Sequence, residues 1–181
     1  MEQSKHDIKL GRFISLVLRH EPSAAGISLD ENGWADVARL IEGVNRTGRS
    51  LDMEALERIV RENSKGRYSF SDDRTRIRAN QGHSVAVDVE LVAQMPPDVL
   101  YHGTATRFLQ AILHDGLIPR GRQHVHLSAD TATAENVGSR HGKPMVLAID
   151  AAAMVRDGHI FWLSENGVWL CLQVPRQYVR L

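Results

Sequence analysis

From Asp7 to Arg19 the apolar residues fall at Ile8, Leu10, Phe13, Ile14, Leu16, Val17 and Leu18, a spacing that predicts an amphipathic helix. Pro22 biases Glu21 away from helical geometry, so the helix should stop at Leu18-Arg19-His20. Ser23 to Gly33 reads as a loop with a short strand at Ile27-Ser28-Leu29. Trp34 to Ile41 predicts a second, short helix ending near Gly43. A third opens at Leu51, with Asp52 as N-cap and Leu56, Ile59 and Val60 facing inward. After Asn63 the period drops to two: Arg67-Tyr68-Ser69-Phe70 and Thr75-Arg76-Ile77-Arg78 predict strands joined by the turn-rich Ser71-Asp72-Asp73-Arg74.

Residues 81–97 read as a joint, because Gly82 and Met95-Pro96-Pro97 interrupt regular structure. Beyond it the pattern predicts strands at 99–102, 124–128, 144–149, 159–163 and 168–174. Helices are expected near 107–114, 131–140 and 151–156, with turns at Asp115-Gly116 and Glu165-Asn166-Gly167. The expected class is therefore α+β, with lobes at 1–93 and 94–181 and a mostly antiparallel sheet in the second. Three helices followed by a basic hairpin is the element order of a winged-helix module, commonly a nucleic-acid binder.

Composition sharpens this only in places. A chain of 181 residues, 43% hydrophobic with three Trp, can bury one core or two small ones, and Trp34, Trp162 and Trp169 are expected inside. The formal net charge is zero, but Arg58 to Arg78 holds seven basic residues against three acidic ones. The single Cys171, between Leu170 and Leu172, excludes an internal disulfide and reads as a small buried hydrophobe. With no signal-peptide pattern and no apolar run near ~18 residues, a cytoplasmic protein without a membrane partner is expected.

The chemistry gathers in two strands. Val99-Leu100-Tyr101-His102-Gly103-Thr104 delivers a ring and a hydroxyl around a glycine that lets a ligand or another backbone come close. In His124-Val125-His126-Leu127-Ser128, alternation sets the histidines and serine on one face and the apolar pair on the other. Side by side, the two strands would make a polar slot over an apolar floor. No dinucleotide fingerprint, P-loop, CxxC, HExxH or nucleophile elbow is present, and acids in the second half are sparse. His102, His124 and His126 could ligate a metal, but no carboxylate or further thiolate lies near them, and no metal is expected. His83, His114 and His159 read as structural or exposed. What remains is cationic: Arg19, His20, Arg67 and Arg140. A site rich in arginine and poor in carboxylate suits phosphate, and stabilises charge better than it abstracts protons. A noncatalytic winged-helix binder and a histidine-ligated, metal-dependent hydrolase are the rival readings.

The fragments Leu18-Arg19-His20-Glu21-Pro22, Arg67-Tyr68, Arg78-Ala79-Asn80-Gln81-Gly82-His83-Ser84, Tyr101-His102-Gly103-Thr104, His124-Val125-His126-Leu127-Ser128, Arg140-His141-Gly142 and Asn166-Gly167-Val168-Trp169-Leu170 together resemble the RNA 2′-phosphotransferase family of NAD-dependent enzymes, in order and over essentially the whole chain. The resemblance implies an N-terminal winged-helix lobe facing RNA and a C-terminal lobe of ADP-ribosyltransferase fold holding NAD. It implies a catalytic set of Arg19, His20, Arg67 and Arg140. For the cofactor it implies Tyr101, His102, Gly103, Thr104, Gly116, His126 and Ser128. Arg122 would reach the cofactor diphosphate or cap the sheet edge. Val168 would stand where related ADP-ribosyltransferases carry a glutamate, and Tyr68 where Phe is usual, with either ring expected to pack. The expected partners are NAD and an RNA bearing an internal 2′-phosphate, and the expected state is a monomer.

Overall fold

The computed structural model describes residues 5–181; residues 1–4 of the expected N-terminal lobe lie outside the described residues. The chain divides into two compact units, Met1–Glu90 and Leu91–Leu181.

In the first unit, helix α1 (Lys5–Arg19) buries Leu10, Ile14, Val17 and Leu18, the inward positions of a helical stripe. It ends as the spacing predicts, with the His20 and Glu21 amides both on the Leu16 carbonyl, and the chain turns through a 3₁₀ segment at Pro22–Ala25. The expected strand at Ile27–Leu29 does not form. The helix expected from Trp34 starts three residues later: Trp34–Asp36 is strand β1. Asp36 then caps α2 (Val37–Arg46), its carboxylate accepting from the Arg39 amide. The helix runs past the buried Gly43, which fits closely under the Ala25 carbonyl. Asp52 caps α3 (Met53–Arg61) as expected, through the Ala55 amide. Strands β2 (Tyr68–Phe70) and β3 (Arg76–Ala79) complete an antiparallel sheet of order β1-β3-β2, registered at Trp34↔Arg78 and Phe70↔Ile77. In the hairpin turn, hydrogen bonds from the Ser71 hydroxyl and from the Thr75 amide and hydroxyl hold the Asp73 carboxyl down at about 2.

In the second unit, β4 (Val99–Ala105) is three residues longer than predicted and pairs along its whole length with β6 (Pro144–Asp150). The far edge of β6 carries β9 (Val179–Arg180), a strand the sequence pattern does not announce. A second sheet has the order β5-β8-β7, from Val125–Leu127, Trp169–Cys171 and Trp162–Leu163. All three are shorter than predicted. Residues 159–161 stay irregular, and beyond β8 the chain leaves the sheet so that Val174 can pair with Leu117. The two sheets meet where Tyr101 and Ser128 exchange backbone hydrogen bonds of 2.8 Å each way.

Three helices cover this unit. A 3₁₀ turn at Thr106–Phe108 leads into α4 (Leu109–Asp115), α5 (Thr131–Gly138) runs into a 3₁₀ turn at Ser139–His141, and α6 (Ala151–Arg156) follows β6. Leu100, Leu147, Ile149, Leu127, Phe161 and Cys171 fill the core, where burial pushes the Cys171 thiol up to about 12. Of the three tryptophans only Trp169 is buried. Trp34 and Trp162 are half-exposed; Arg78 and Arg76 stack over Trp34 at 4.5 and 5.3 Å, and His124 meets the Trp162 ring edge-on. The architecture is thus mixed α+β with small antiparallel sheets. Among the described residues no helix is long and apolar enough to cross a membrane.

Candidate functional site

Arg19 is the last residue of α1 and is buried, His20 follows it, and Arg67 immediately precedes β2. His20 and Arg67 line one groove of about 450 Å³ in the first unit, together with Arg12, Ser15, Asn63, Tyr68 and Asp7. Its floor is neutral. The Tyr68 hydroxyl donates to the Gly11 carbonyl at 2.8 Å, tying β2 to α1, and burial raises its pKa against the opposing hydrogen bond from Ser15. The ring packs as expected, and its hydroxyl in addition holds two elements together. Among the described residues the one lining carboxylate, Asp7, is buried and takes two hydrogen bonds from Arg58, at 2.9 and 3.2 Å. Arg67 meets no carboxylate among the described residues; it donates to the neutral Asn63 amide oxygen at 3.3 Å.

The segment after β3 organises both ends of this groove. The Ser84 amide donates to the Arg19 carbonyl, and the Ser84 hydroxyl lies 2.9 Å from His20 Nδ1. The Asn80 amide donates to the Arg67 carbonyl at 2.9 Å, while its side chain donates to the Gly66 carbonyl at 2.8 Å. Ser84 and Asn80 stand in a fragment that carries the family resemblance, but neither was singled out as a site residue. Their effect depends on a fold contact 64 residues long in the case of His20.

The basic run from Arg58 to Arg78 contributes less open charge than its composition promises. Arg58 pairs with Asp7, Arg74 with Glu57, Arg76 with Asp30 and Arg78 with Glu90, at 2.9, 2.7, 3.7 and 3.0 Å.

In the second unit, His102, on β4, is half-buried, and its Nδ1 donates to the His126 carbonyl at 3.1 Å. A carbonyl only accepts, so that nitrogen carries the proton. Burial, with His141 nearby, depresses the ring pKa against the pull of the His126 carbonyl. The neutral ring then keeps a lone pair on Nε2. His126 Nδ1 donates to the His124 carbonyl at 3.0 Å, and burial depresses His124 as well. Val125 and Leu127 are buried while His124, His126 and Ser128 are half-exposed, the alternation that the sequence predicts. Tyr101 is half-buried beside Ser128, and Thr104 is buried on the His102 side of the strand.

The glycines serve packing. A Cβ on Gly103 would overlap the Ala134 carbonyl of α5, and one on Gly138 would crowd the Thr104 carbonyl; what comes close to Gly103 is backbone. Gly116 takes φ 76° and lies against the Val174 carbonyl and the Arg176 amide. Arg122 is exposed at its backbone turn, with its guanidinium pKa lowered by partial burial. Arg140 is exposed in the 3₁₀ turn after α5. Val168 precedes β8 in the turn from Ser164, whose hydroxyl accepts from the Val168 amide. Among the described residues, no group of three or more His, Cys, Asp or Glu is arranged to hold a metal ion.

Comparison with known proteins matches residues 5–173 to a family described as "RNA 2'-phosphotransferase, Tpt1 / KptA family". The chain is 53% identical over 176 residues to a probable RNA 2'-phosphotransferase of Fusobacterium nucleatum, covering 97% of this chain and 98% of that one. To one of Rhodopirellula baltica it is 52% identical over 180 residues, covering 99% and 98%. To one of Hahella chejuensis it is 53% identical over 170 residues, covering 94% and 91%.

Proposed function

Since the chain belongs to the RNA 2′-phosphotransferase family, a family of transferases, we propose that it removes an internal 2′-phosphate from RNA, with NAD consumed as co-substrate. The observation that carries this reading is the groove of the first unit. It presents His20 and Arg67 over a neutral floor, with Arg19 buried beside His20 in the chain and the groove's one carboxylate among the described residues paired to Arg58. Such a surface attracts a phosphate monoester and offers no unpaired carboxylate base among the described residues, which an acceptor that is already an anion does not need.

In the first step an oxygen of the RNA 2′-phosphate attacks the ribose carbon bearing nicotinamide. The carbon–nitrogen bond breaks, and the ring's electron pair leaves with it as neutral nicotinamide. In the second, a ribose hydroxyl on the transferred ADP-ribose attacks the same phosphorus. The bond to the RNA 2′ oxygen breaks, that oxygen takes up the proton the hydroxyl gives up, and ADP-ribose cyclic phosphate is released. Arg19, Arg67 and Arg140 hold the phosphoryl oxygens as charge gathers on them. His20, held by Ser84 through Nδ1, is the residue that binds phosphate or carries the moving proton.

The second unit holds the co-substrate through Tyr101, His102, Thr104, His126 and Ser128, with Gly103 and Gly116 shaping the backbone around them and Arg122 near the diphosphate. The burial that keeps His102 uncharged favours this fit, because a protonated imidazole would repel a cationic nicotinamide ring. The order α1-β1-α2-α3-β2-β3, with β1 on β3, supports a winged-helix assignment for the RNA-facing lobe. The paired antiparallel sheets of the second unit support an ADP-ribosyltransferase-like one. The protein is read as a cytoplasmic monomer acting without a metal.

The test is Arg140→Ala. The variant should melt like the parent, since the side chain is exposed, and should lose about a hundredfold or more of NAD-dependent 2′-phosphate removal. Near-normal turnover would remove Arg140 from the site.

A further inference from the structure

An RNA that carries an internal 2′-phosphate also carries a phosphodiester on the same or the adjoining nucleotide, so a site for it meets at least two phosphates. The catalytic assignments of the first unit, Arg19, His20 and Arg67, account for one. The groove that His20 and Arg67 line continues along α1 to Arg12, eight residues and two helical turns before His20, a rise of about 12 Å. Arg12 is exposed on that wall and has no ion pair among the described residues, whereas Arg58, Arg74, Arg76 and Arg78 of the same unit are each held by a carboxylate. Ser15 and Tyr68 fill the interval between Arg12 and His20 with neutral groups, and Asp7 is covered by Arg58. A strand laid along this groove therefore meets a second guanidinium two turns from the first cluster with no uncompensated acid in between.

We propose that Arg12 is a second phosphate subsite, which holds a backbone phosphodiester flanking the 2′-phosphate and so favours an RNA strand over an isolated nucleoside 2′-phosphate; this rests on the function proposed above. A guanidinium is suited to the task, because it keeps its charge and grips a phosphate with two parallel hydrogen bonds. It makes no contact with the reacting atoms, so its effect lies in binding.

The full-length protein and its Arg12→Ala variant are titrated, without NAD, against a short RNA with one internal 2′-phosphate and against a nucleoside 2′-phosphate that lacks any phosphodiester. The substitution should weaken RNA binding about tenfold and lower the slope of log affinity against log salt by about 0.7, the loss of one contact to a single strand. Binding of the nucleoside should change less than about twofold. Lys9→Ala, which removes a charge from an exposed position of α1 outside the groove, should give a smaller effect than Arg12→Ala. Equal losses for both ligands, an unchanged salt slope, or an equal effect of Lys9→Ala would overturn the subsite. Failure of the parent protein to release nicotinamide from NAD with the same RNA would instead sink the function proposed above. The NAD-free comparison would then stand or fall on its own.

Discussion

At the scale of single residues, His20 owes its pose to Ser84, whose hydroxyl lies 2.9 Å from Nδ1. Ser84→Ala is expected to lower kcat about tenfold with little change in KM and to shift the pH profile, while Ser84→Thr should restore most of the rate. An equal loss in both variants, or a change in KM alone, would mean that Ser84 acts only on the loop. Tyr68→Phe removes the bond to the Gly11 carbonyl and should cost about 1 kcal/mol of stability, seen in a denaturant melt, while turnover holds. The histidines make stability depend on pH in a definite direction. Burial depresses His102 and His124 below their ordinary 6.5, so below that value the unfolded chain binds more protons than the folded one. The protein should therefore lose stability as pH falls from about 6.5 through the window down to their folded values. The depressed carboxyls of Asp130 and Asp150 add their loss only below their ordinary 3.8. Melting temperatures at about pH 7.5 and 5.5 should differ less in His102→Gln than in the parent. A parent melting temperature that stays flat or rises on acidification would contradict the assignment.

At the scale of elements, the seat of α5 on β4 depends on two small residues. Gly103→Ala would drive a methyl into the Ala134 carbonyl and is expected to destabilise the second unit by about 3 kcal/mol, read from thermal or denaturant melts. A fully stable variant would show that α5 can move away from the strand. What the sequence makes legible is what neighbouring residues decide. The stripe of α1, the Asp52 cap and the turn between β2 and β3 each depend on residues a few positions apart, and each forms as the pattern predicts. Trp34 to Asp36 reads as helix by its apolar spacing, but pairing with β3, more than forty residues on, makes it a strand. Strand β9 is two residues long and exists only because β6 has a free edge at Ala148 and Ile149. The basic run looks open in the sequence because its partners, Asp7, Asp30 and Glu90, lie far from it along the chain or beyond its end.

At the scale of the whole molecule, the first unit carries a groove lined by His20 and Arg67 whose Asp7 is paired to Arg58, and the second carries two histidine-bearing strands in which burial depresses His102 and His124. The residues of the histidine slot were legible because two strands announce themselves by alternation. The groove was not, because it joins α1 to residues more than forty positions later. The two resources are complementary for a reaction between an anionic acceptor and a cationic leaving group, and neither calls for a carboxylate base. The most direct measurement incubates the protein with an RNA carrying one internal 2′-phosphate, with and without NAD, and follows nicotinamide, inorganic phosphate and the RNA. The account predicts nicotinamide released in step with 2′-hydroxyl RNA, only when NAD is present and only from the phosphorylated strand. Loss of the phosphate as inorganic phosphate without NAD, or no loss with it, would contradict the account.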